Sequence, residues 1–426
     1  MSEISFDQYL SLYPMRTLLM MLIVLTTWQT NCAFAQQCGT SVIMEQMQQR
    51  NPRAWANIID IQQRPLHGLK LADEVYTIPV VVHVVYNTDA QNIDDTRIYT
   101  QINVLNADFR RLNADTTETP GPFQEVAADV QLEFCLASLD PDGNPTTGIV
   151  RTYTDTTIWD LSYSENVKYS DLAGDDAWPA SAYLNIWVCN LADGILGYAV
   201  SPGAPPDVDG IVVDYKNFGL ADISSAPYHM GRTTTHEVGH WLGLTHIWGD
   251  DGGACAGDDG MEDTPIQAGP TYGCPDFPLL DDCNTAYPGI MYDNYMDYTD
   301  DLCMNIFTQD QKERMRNVMF TYRASLLTST AGCNEIGPLP GDIAELSIYP
   351  VPNNGQCTVS VKNFAGTLGT MELSVYNSLG QHLGTISLEA ANNVAQYIDL
   401  SAQAPGTYFV QVFNGTYFLT KPFLLF

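Results

Sequence analysis

The sequence predicts an α/β (α+β) domain at residues 73–333, followed by a smaller all-β sandwich at residues 343–426, and three observations support this prediction. Apolar runs of strand length alternate with helical spacing between residues 76 and 327. The segment NEIGPLPGD at 334–342 is typical of a linker. Beyond it, short β-rich runs such as CTVSV and GTYFVQV follow one another at the spacing of a small sandwich.

The first module is expected to build its sheet from short apolar strands. These strands are predicted at residues 78–86, 130–137, 183–191 and 210–215, with an edge strand at 194–200. Helices are predicted at 98–112, at 232–244 and from Thr308 to about Leu327, the last opened by a capping box of Thr308 and Gln311. A long loop rich in Gly, Asp and Pro runs from Trp248 to about Tyr292, and such loops are usually functional or cross-linked.

The N-terminal segment predicts export. Met15 and a basic residue precede an apolar run at 18–25, and the Ala-Phe-Ala that ends at Ala35 has the form of a signal-peptidase site, so residues 1–35 are the predicted signal peptide. The apolar run is far shorter than the ~20 residues needed to cross a bilayer, so no membrane span is expected. Met15 is an alternative start, in which case residues 1–14 are an extension.

The charge balance limits the classes of partner. With 18 Lys and Arg against 50 Asp and Glu, the net charge of -32 repels phosphate backbones, so nucleic acid is not an expected partner. The acidity has two compatible interpretations, which are solubility in an ionic medium and calcium binding by a subset of the carboxylates.

The cysteine count predicts disulfides and one leftover thiol. Of ten cysteines, Cys32 is lost with the signal peptide, which leaves nine in an oxidising compartment. An odd number leaves at least one thiol unpaired. The cysteines that stay are Cys38, Cys135, Cys189, Cys255, Cys274, Cys283, Cys303, Cys333 and Cys357.

The segment HEVGHWLGLTH carries the chemistry. His236 and His240 are four residues apart and therefore share one face of a helix, at the separation that a single Zn²⁺ can bridge. Gly243 allows the backbone to leave the helix, so that the loop returns His246 as a third ligand. Three nitrogen ligands leave an open position for water, as catalytic zinc requires, and Glu237 is placed to act as general base. The pattern predicts a zinc-dependent endopeptidase that acts on protein or peptide substrates.

At these residues the chain resembles the metzincin metallopeptidases, whose signature H-E-x-x-H-x-x-G-x-x-H is matched at every fixed position. The segment NYMDY at 294–298 matches the second hallmark of that clan, the Met-turn. The resemblance implies a twisted mixed sheet with a zinc-binding active-site helix. It also implies that Met296 forms a hydrophobic floor beneath the metal, and that Tyr298 stabilises the oxyanion or swings off the metal when substrate enters.

Within the clan, residues 76–327 resemble the pappalysin family, particularly its cytophagalysin and ulilysin types. The phrases that carry the likeness are YLNIWVCNL at 183–191, HEVGHWLGLTHIW at 236–248, and Asp-Thr-Pro at 263–265, together with the cysteines around the Met-turn. The resemblance implies two disulfides, Cys255–Cys283 and Cys274–Cys303. It also implies a structural Ca²⁺ near this loop, for which the candidate ligands are Asp258, Asp259, Asp263 and Thr264; a solvated acidic loop is the alternative.

The polar, Gln-rich residues 36–72 are interpreted as a pro-segment, and related pro-enzymes stay latent through a cysteine on the open zinc position. We expect Cys38 to do this; the alternative is a disulfide between Cys38 and Cys333 or Cys357. Cys135 and Cys189 either form a third bridge or are two buried free thiols.

Substrate binding should also follow the family. An extended peptide is expected to pair with the edge strand at 194–200. Asp300 and Asp301 follow the Met-turn, and the resemblance implies a preference for Arg or Lys just after the scissile bond.

Residues 343–426 resemble the C-terminal sorting domain of cargo of the type IX secretion system of Bacteroidetes. The likeness lies in LSIYPVPNNGQ, the ELSVYNSLGQ hairpin and PGTYFVQV. It implies that outer-membrane secretion machinery recognises this module and that the protein is extracellular or at the cell surface. A carbohydrate- or protein-binding sandwich is the alternative for this module. For the whole chain, the alternative is a secreted non-catalytic adhesion or binding protein with a vestigial zinc site.

Overall fold

The computed structural model describes residues 38–64, 74–221, 226–250, 253–334, 343–351, 355–363, 371–378, 381–388, 393–413 and 418–426. The predicted signal peptide, and all but the first residue of the predicted linker, lie outside the described residues. In the part of the chain that is described, no helix has both the length and the apolar character needed to span a membrane.

The predicted pro-segment contains two helices that the sequence did not predict. Helix α1 spans Thr40–Arg50 and helix α2 spans Pro52–Gln62. Asn51 caps α2 by accepting a hydrogen bond from the Ala54 N–H, and a proline in the first turn lacks the N–H that would be unsatisfied there. These helices bury few apolar residues, so their stability depends on packing against the domain rather than on a strong periodic pattern of their own.

A mixed sheet forms the centre of the first module. Strand β1 (Tyr76–Tyr86) lies parallel to β2 (Leu132–Leu136) and β3 (Ile149–Tyr153) on one side, and parallel to β4 (Leu184–Cys189) on the other. Its Ile and Val run is buried on both faces, as is typical of a central parallel strand. Strand β3 was not predicted. It has only five residues, and none of them is buried.

The sheet ends in an antiparallel edge strand. Strand β6 (Ile211–Asp214) pairs in parallel with β4, and β5 (Gly197–Ala199) pairs antiparallel with β6 at the sheet edge. The edge strand predicted at 194–200 is therefore present, although only its last part has strand geometry.

Three helices follow the predicted order. They are α3 (Asp95–Phe109), α4 (Arg232–Trp241) and α5 (Gln309–Tyr322). The Thr308–Gln311 capping box opens α5 as predicted, but this helix ends earlier than expected and a separate short turn at Leu326–Thr328 follows. All ten residues of α4 are buried, so this helix runs through the middle of the core.

Both faces of the sheet are covered. On one face, Val80 and Val82 of β1 share a core cluster with Ile102 of α3 and Val238 of α4. On the other face, Val85 lies in a second cluster that includes Ile43 of the pro-segment helix α1. Helix α1 of the predicted pro-segment is therefore part of the packing of the domain.

The described residues contain three disulfides, and they correct one expectation. The two bridges implied by the resemblance, Cys255–Cys283 and Cys274–Cys303, are both present. A bridge between Cys135 and Cys189 is wrong, because Cys135 pairs with Cys333. The segment that carries Cys333 returns alongside β2, where the Asn334 N–H donates to the Leu136 carbonyl at 2.8 Å.

The other described cysteines have free thiols. Cys38, Cys189 and Cys357 are free and buried. A disulfide from Cys38 to Cys333 or Cys357 is therefore also wrong. Cys189 lies in the fully buried strand β4, where it packs as a small apolar residue.

The described residues of the second module form seven strands in two antiparallel sheets. These are β7 (Ile343–Tyr349), β8 (Gln356–Asn363), β9 (Met371–Asn377), β10 (His382–Leu388), β11 (Asn393–Asp399), β12 (Gly406–Phe413) and β13 (Phe418–Leu425). One sheet has the order β10-β9-β12-β13 and the other β11-β8-β7, and one apolar core joins residues from both. Strand β10 was not among the predicted runs, because its sequence HLGTISL has little apolar character.

Candidate metal centre

Helix α4 and the turn after it bring three histidines to one point. His236 and His240 lie one turn apart, with 3.0 Å between their Nε2 atoms. Gly243 has a φ of 87°, a left-handed conformation that L side chains rarely adopt, and it turns the chain out of the helix. The turn returns His246, whose Nε2 lies 3.1 Å from that of His240.

Each histidine is held by its other ring nitrogen. The Nδ1 of His236 lies 2.7 Å from the Tyr295 carbonyl, and the Nδ1 of His240 lies 3.0 Å from the Leu244 carbonyl. The Nδ1 of His246 lies 2.8 and 2.9 Å from the two carboxylate oxygens of Asp250. Because a carbonyl oxygen can only accept, Nδ1 is the donor, and each Nε2 keeps its lone pair for a shared ligand.

Burial favours the neutral form of His236 and of His240. Burial, and then the neighbouring histidines, lower the pKa of His236 well below its ordinary value. The same two causes lower the pKa of His240 to about 3. Neutral imidazole is the form that ligates a metal.

The Cys38 thiol is the fourth member of the group. One ligand atom each from Cys38, His236, His240 and His246 lies within 4.8 Å of the others, and no other such group of His, Cys, Asp or Glu occurs among the described residues. Three nitrogens and one sulfur suit tetrahedral Zn²⁺, for which adjacent nitrogens would be roughly 3.3 Å apart. The observed donor set therefore fits zinc.

Glu237 is buried beside this group and contacts Cys38 and Thr40 of the predicted pro-segment. Its Oε2 lies 3.6 Å from the Cys38 Sγ and accepts a hydrogen bond from the Thr40 hydroxyl at 3.1 Å. Burial raises the pKa of Glu237 to about 8. Sequence analysis did not identify Thr40 as a site residue. The only signal in the sequence is that Thr40 follows Cys38 by two residues.

The Met-turn lies directly beneath α4. Met296 is fully buried, and a Cβ added to Gly239 would lie 2.5 Å from its sulfur, so the helix must have glycine there to approach the turn. The Asn294 side-chain oxygen accepts the Met296 N–H at 2.9 Å, which fixes the turn.

Two aromatic rings complete the surroundings of the third histidine. The Tyr298 hydroxyl lies 3.1 Å from the His246 Nε2. Trp248 stacks on the His246 ring, with 4.3 Å between centroids and 7° between planes.

A pocket of about 270 Å³ adjoins the group, and the lining residues include His236, Glu237, Tyr298 and Asp301. Burial raises the pKa of Asp301 to about 7. Its Oδ2 accepts the Met230 N–H at 2.7 Å. Of the two acidic residues after the Met-turn, Asp301 lines this pocket and Asp300 is not among its lining residues.

The acidic loop brings together some of the candidate calcium ligands. The Thr264 hydroxyl donates to Asp259 Oδ1 at 2.6 Å. Among the described residues, Asp259 Oδ2 and Asp263 Oδ1 are buried and have no hydrogen-bond partner. Burial raises the pKa of Asp259 to about 7. Asp258 is exposed and accepts a local hydrogen bond from the Gly260 N–H.

Each module matches a family model. Residues 167–320 match the family model described as Pregnancy-associated plasma protein-A, and residues 347–425 match the model described as Secretion system C-terminal sorting domain. An extracellular metalloprotease of Arthroderma benhamiae is 30% identical over 255 residues, which cover 58% of this chain and 79% of that protein.

Solved structures agree with these matches. Mirolysin in complex with compound 9 is 52% identical, with a TM-score of 0.58, over 60% of this chain and 97% of that chain. A promirolysin variant of Tannerella forsythia is 48% identical, with a TM-score of 0.63, over 69% of this chain and 97% of that chain. The protein therefore belongs to the pappalysin family of secreted zinc metalloproteases, and its C-terminus is a type IX secretion sorting domain.

Proposed function

We propose that this chain is an endopeptidase in which His236, His240 and His246 hold one catalytic zinc ion and Glu237 is the general base. The observation that carries the proposal is the convergence of three Nε2 atoms, 3.0 and 3.1 Å apart in neighbouring pairs, beside a buried carboxyl group. The alternative of a non-catalytic binding protein is not favoured, because the named relatives are metalloproteases.

Each of these residues has a different role in hydrolysis. Zinc, when bound, polarises the scissile carbonyl and makes water a stronger acid. Glu237 takes the proton of the attacking water and passes it to the leaving amine. The Tyr298 hydroxyl donates a hydrogen bond to the oxyanion, and Met296 supports the site from below.

Casein hydrolysis tests this proposal. We expect Glu237→Ala to lower the rate by roughly 10²- to 10⁴-fold, and a zinc chelator to abolish the activity of the wild-type enzyme. Glu125→Ala removes an exposed carboxylate and should leave the rate unchanged. Wild-type activity in Glu237→Ala would exclude the assigned mechanism.

We further propose that residues 36–72 are a pro-segment that keeps the enzyme latent through Cys38 and Thr40. The Gly39 N–H donates to the Gly197 carbonyl of β5 at 2.8 Å. The Thr40 hydroxyl accepts the Ala199 N–H at 2.9 Å and donates to Glu237. One tripeptide therefore engages the fourth zinc position, the general base and the edge strand together.

Full-length variants test latency. Cys38→Ala should hydrolyse a peptide substrate without prior cleavage of the pro-segment, and Thr40→Val should show a smaller gain. Ser41→Ala removes an exposed neighbouring hydroxyl and should stay as latent as wild type. If Cys38→Ala is equally latent, the thiol does not maintain latency.

The substrate is proposed to be an extended peptide with Arg or Lys just after the scissile bond. Strand β5 lies at the sheet edge beside Glu237, where a peptide backbone can pair with it. Asp301 supplies a buried carboxyl group in the adjoining pocket. Cleavage-site profiling with a peptide library should find basic residues there, and Asp301→Asn should reduce that preference; an unchanged profile would exclude Asp301 as its source.

We also propose a structural Ca²⁺ held by Asp259, Asp263 and Thr264, with Asp258 contributing only if the loop rearranges. The support is chemical: two buried carboxylate oxygens have no hydrogen-bond partner among the described residues, and hard oxygen ligands suit Ca²⁺. Calcium should raise the melting temperature of the wild type but not that of Asp259→Asn. Equal responses of the two proteins would show that Asp259 is not a calcium ligand.

A further inference from the structure

The third histidine is supported differently from the other two. His236 and His240 are held by backbone carbonyls of Tyr295 and Leu244. His246 instead faces both oxygens of the Asp250 carboxylate, at 2.8 and 2.9 Å from its Nδ1. It also lies beyond the end of α4, so no regular helix fixes its backbone.

The chain adopts an unusual conformation to make this contact. Gly249 and Asp250 have φ angles of 69° and 52°, and the Gly249 N–H donates to the His246 carbonyl at 2.9 Å. Two successive left-handed residues turn the backbone so that the carboxylate four positions on reaches the ring. A non-glycine residue pays a conformational cost in this region, although aspartate tolerates it better than most residues.

A carboxylate acts on a metal-binding imidazole in two ways. It orients the ring through the Nδ1–H, and its negative charge makes the Nε2 a stronger donor. Trp248 stacks on one face of the same ring, so the stacking restrains the ring plane and Asp250 restrains its rotation.

We propose that Asp250 is a positioning residue that orients His246 and raises the affinity of the site for zinc. This inference rests on the proposed zinc site and extends it to a residue outside the metal ligands. It is separate from the role of Glu237, whose carboxyl group contacts Cys38 and Thr40.

Zinc affinity tests the inference without reference to peptidase activity. Purified full-length wild type, Asp250→Asn, Asp250→Ala and Asp282→Asn would be titrated with a competing chelator, and the zinc retained by each would be measured. Asp282→Asn is the matched control, because it removes one exposed carboxylate from the same loop. Melting curves of the metal-free proteins would show whether each variant folds.

We expect both Asp250 variants to bind zinc roughly 10- to 100-fold more weakly, with the control equal to wild type. Affinities of Asp250→Asn and Asp250→Ala within twofold of wild type would overturn the inference. If metal-free Asp250→Ala does not fold, the nearly isosteric Asp250→Asn decides the matter alone. A wild type that takes up no zinc would instead overturn the proposed zinc site itself, which distinguishes the two failures.

Discussion

The carboxyl group of Glu237 and the sulfur of Met296 lie on different sides of one short helix. Each lies against a glycine, which has no side chain. A Cβ on Gly197 would lie 2.9 Å from Glu237 Cγ, and a Cβ on Gly239 would lie 2.5 Å from Met296 Sδ. At the scale of single residues, the site is therefore set by how closely backbones approach each other.

Gly239→Ala should destabilise the protein by about 1–3 kcal/mol, because the new methyl group overpacks the contact with Met296. In a domain of this size that corresponds to a fall in melting temperature of roughly 2–10 °C. Gly121→Ala is the control, since a Cβ there meets nothing within 4 Å. Equal melting temperatures of the two variants would mean that the Met-turn moves aside at no cost.

Asp293→Asn should stabilise the protein much more at pH 8 than at pH 5. Both carboxylate oxygens of Asp293 are buried and have no hydrogen-bond partner among the described residues. Burial raises its pKa to about 7, whereas an unfolded aspartate has a pKa of roughly 3.9. The folded state therefore binds the extra proton, and stability is lost as the pH rises between these values.

Melting temperatures of the wild type and Asp293→Asn at both pH values provide the measurement. The difference at pH 8 should be at least about 4 °C, since each unit of pKa shift corresponds to roughly 1.4 kcal/mol. Asp282→Asn, on the surface, should show no pH-dependent difference. A gain of the same size at pH 5 would show that ionisation is not the cause.

At the scale of elements, α5 links the pro-segment to the metal-binding turn through one side chain. Arg314 is buried, and its guanidinium donates to the Gly243 carbonyl at 3.1 Å and to the Ile61 carbonyl of α2 at 3.1 Å. It also reaches the Arg64 carbonyl at 3.4 Å. The end of α2, which needs partners for its last carbonyls, is thus capped by the catalytic domain.

Arg314→Met should weaken this docking while keeping most of the buried volume. We expect the pro-segment of the variant to be cut by added trypsin at least several times faster than that of the wild type. Glu313→Gln changes the exposed neighbouring residue and should leave the rate unaltered. Identical cleavage time courses for Arg314→Met and wild type would mean that other contacts hold the pro-segment in place.

At the scale of the whole molecule, the two modules have separate apolar cores. The catalytic core is built from the mixed sheet and helices α3 to α5, and the second core joins the two sheets of residues 343–425. The Cys135–Cys333 bridge ties the end of the first module to its central sheet just before the linker. A disulfide that closes so long a loop stabilises mainly by restricting the unfolded chain.

Deletion of residues 343–426 should therefore abolish secretion and leave the peptidase activity of the purified first module within about twofold of the full chain. Secreted protein and casein hydrolysis would be measured for both forms. Normal secretion with weakened substrate binding would instead favour the carbohydrate- or protein-binding interpretation of this module. Loss of activity of the purified first module would show that it does not fold without the sandwich.

The sequence by itself determined the features that depend on local spacing. Residues four apart share a helix face, so His236 and His240 could be placed together without coordinates. Gly243 in the motif predicted the exit from the helix, and the apolar run of β1 predicted a buried central strand. Only the resemblance to metzincins linked these residues to Met296 and Tyr298, which lie far along the chain.

The tertiary structure alone decided which distant groups meet. The pairing of Cys135 with Cys333, the contact of Thr40 with Glu237 and the docking of Arg314 against α2 join residues far apart in the chain. No local pattern encodes such contacts, because they arise where separate elements pack. Asp250 is four residues from His246, yet its role depends on a left-handed turn that residue spacing does not reveal.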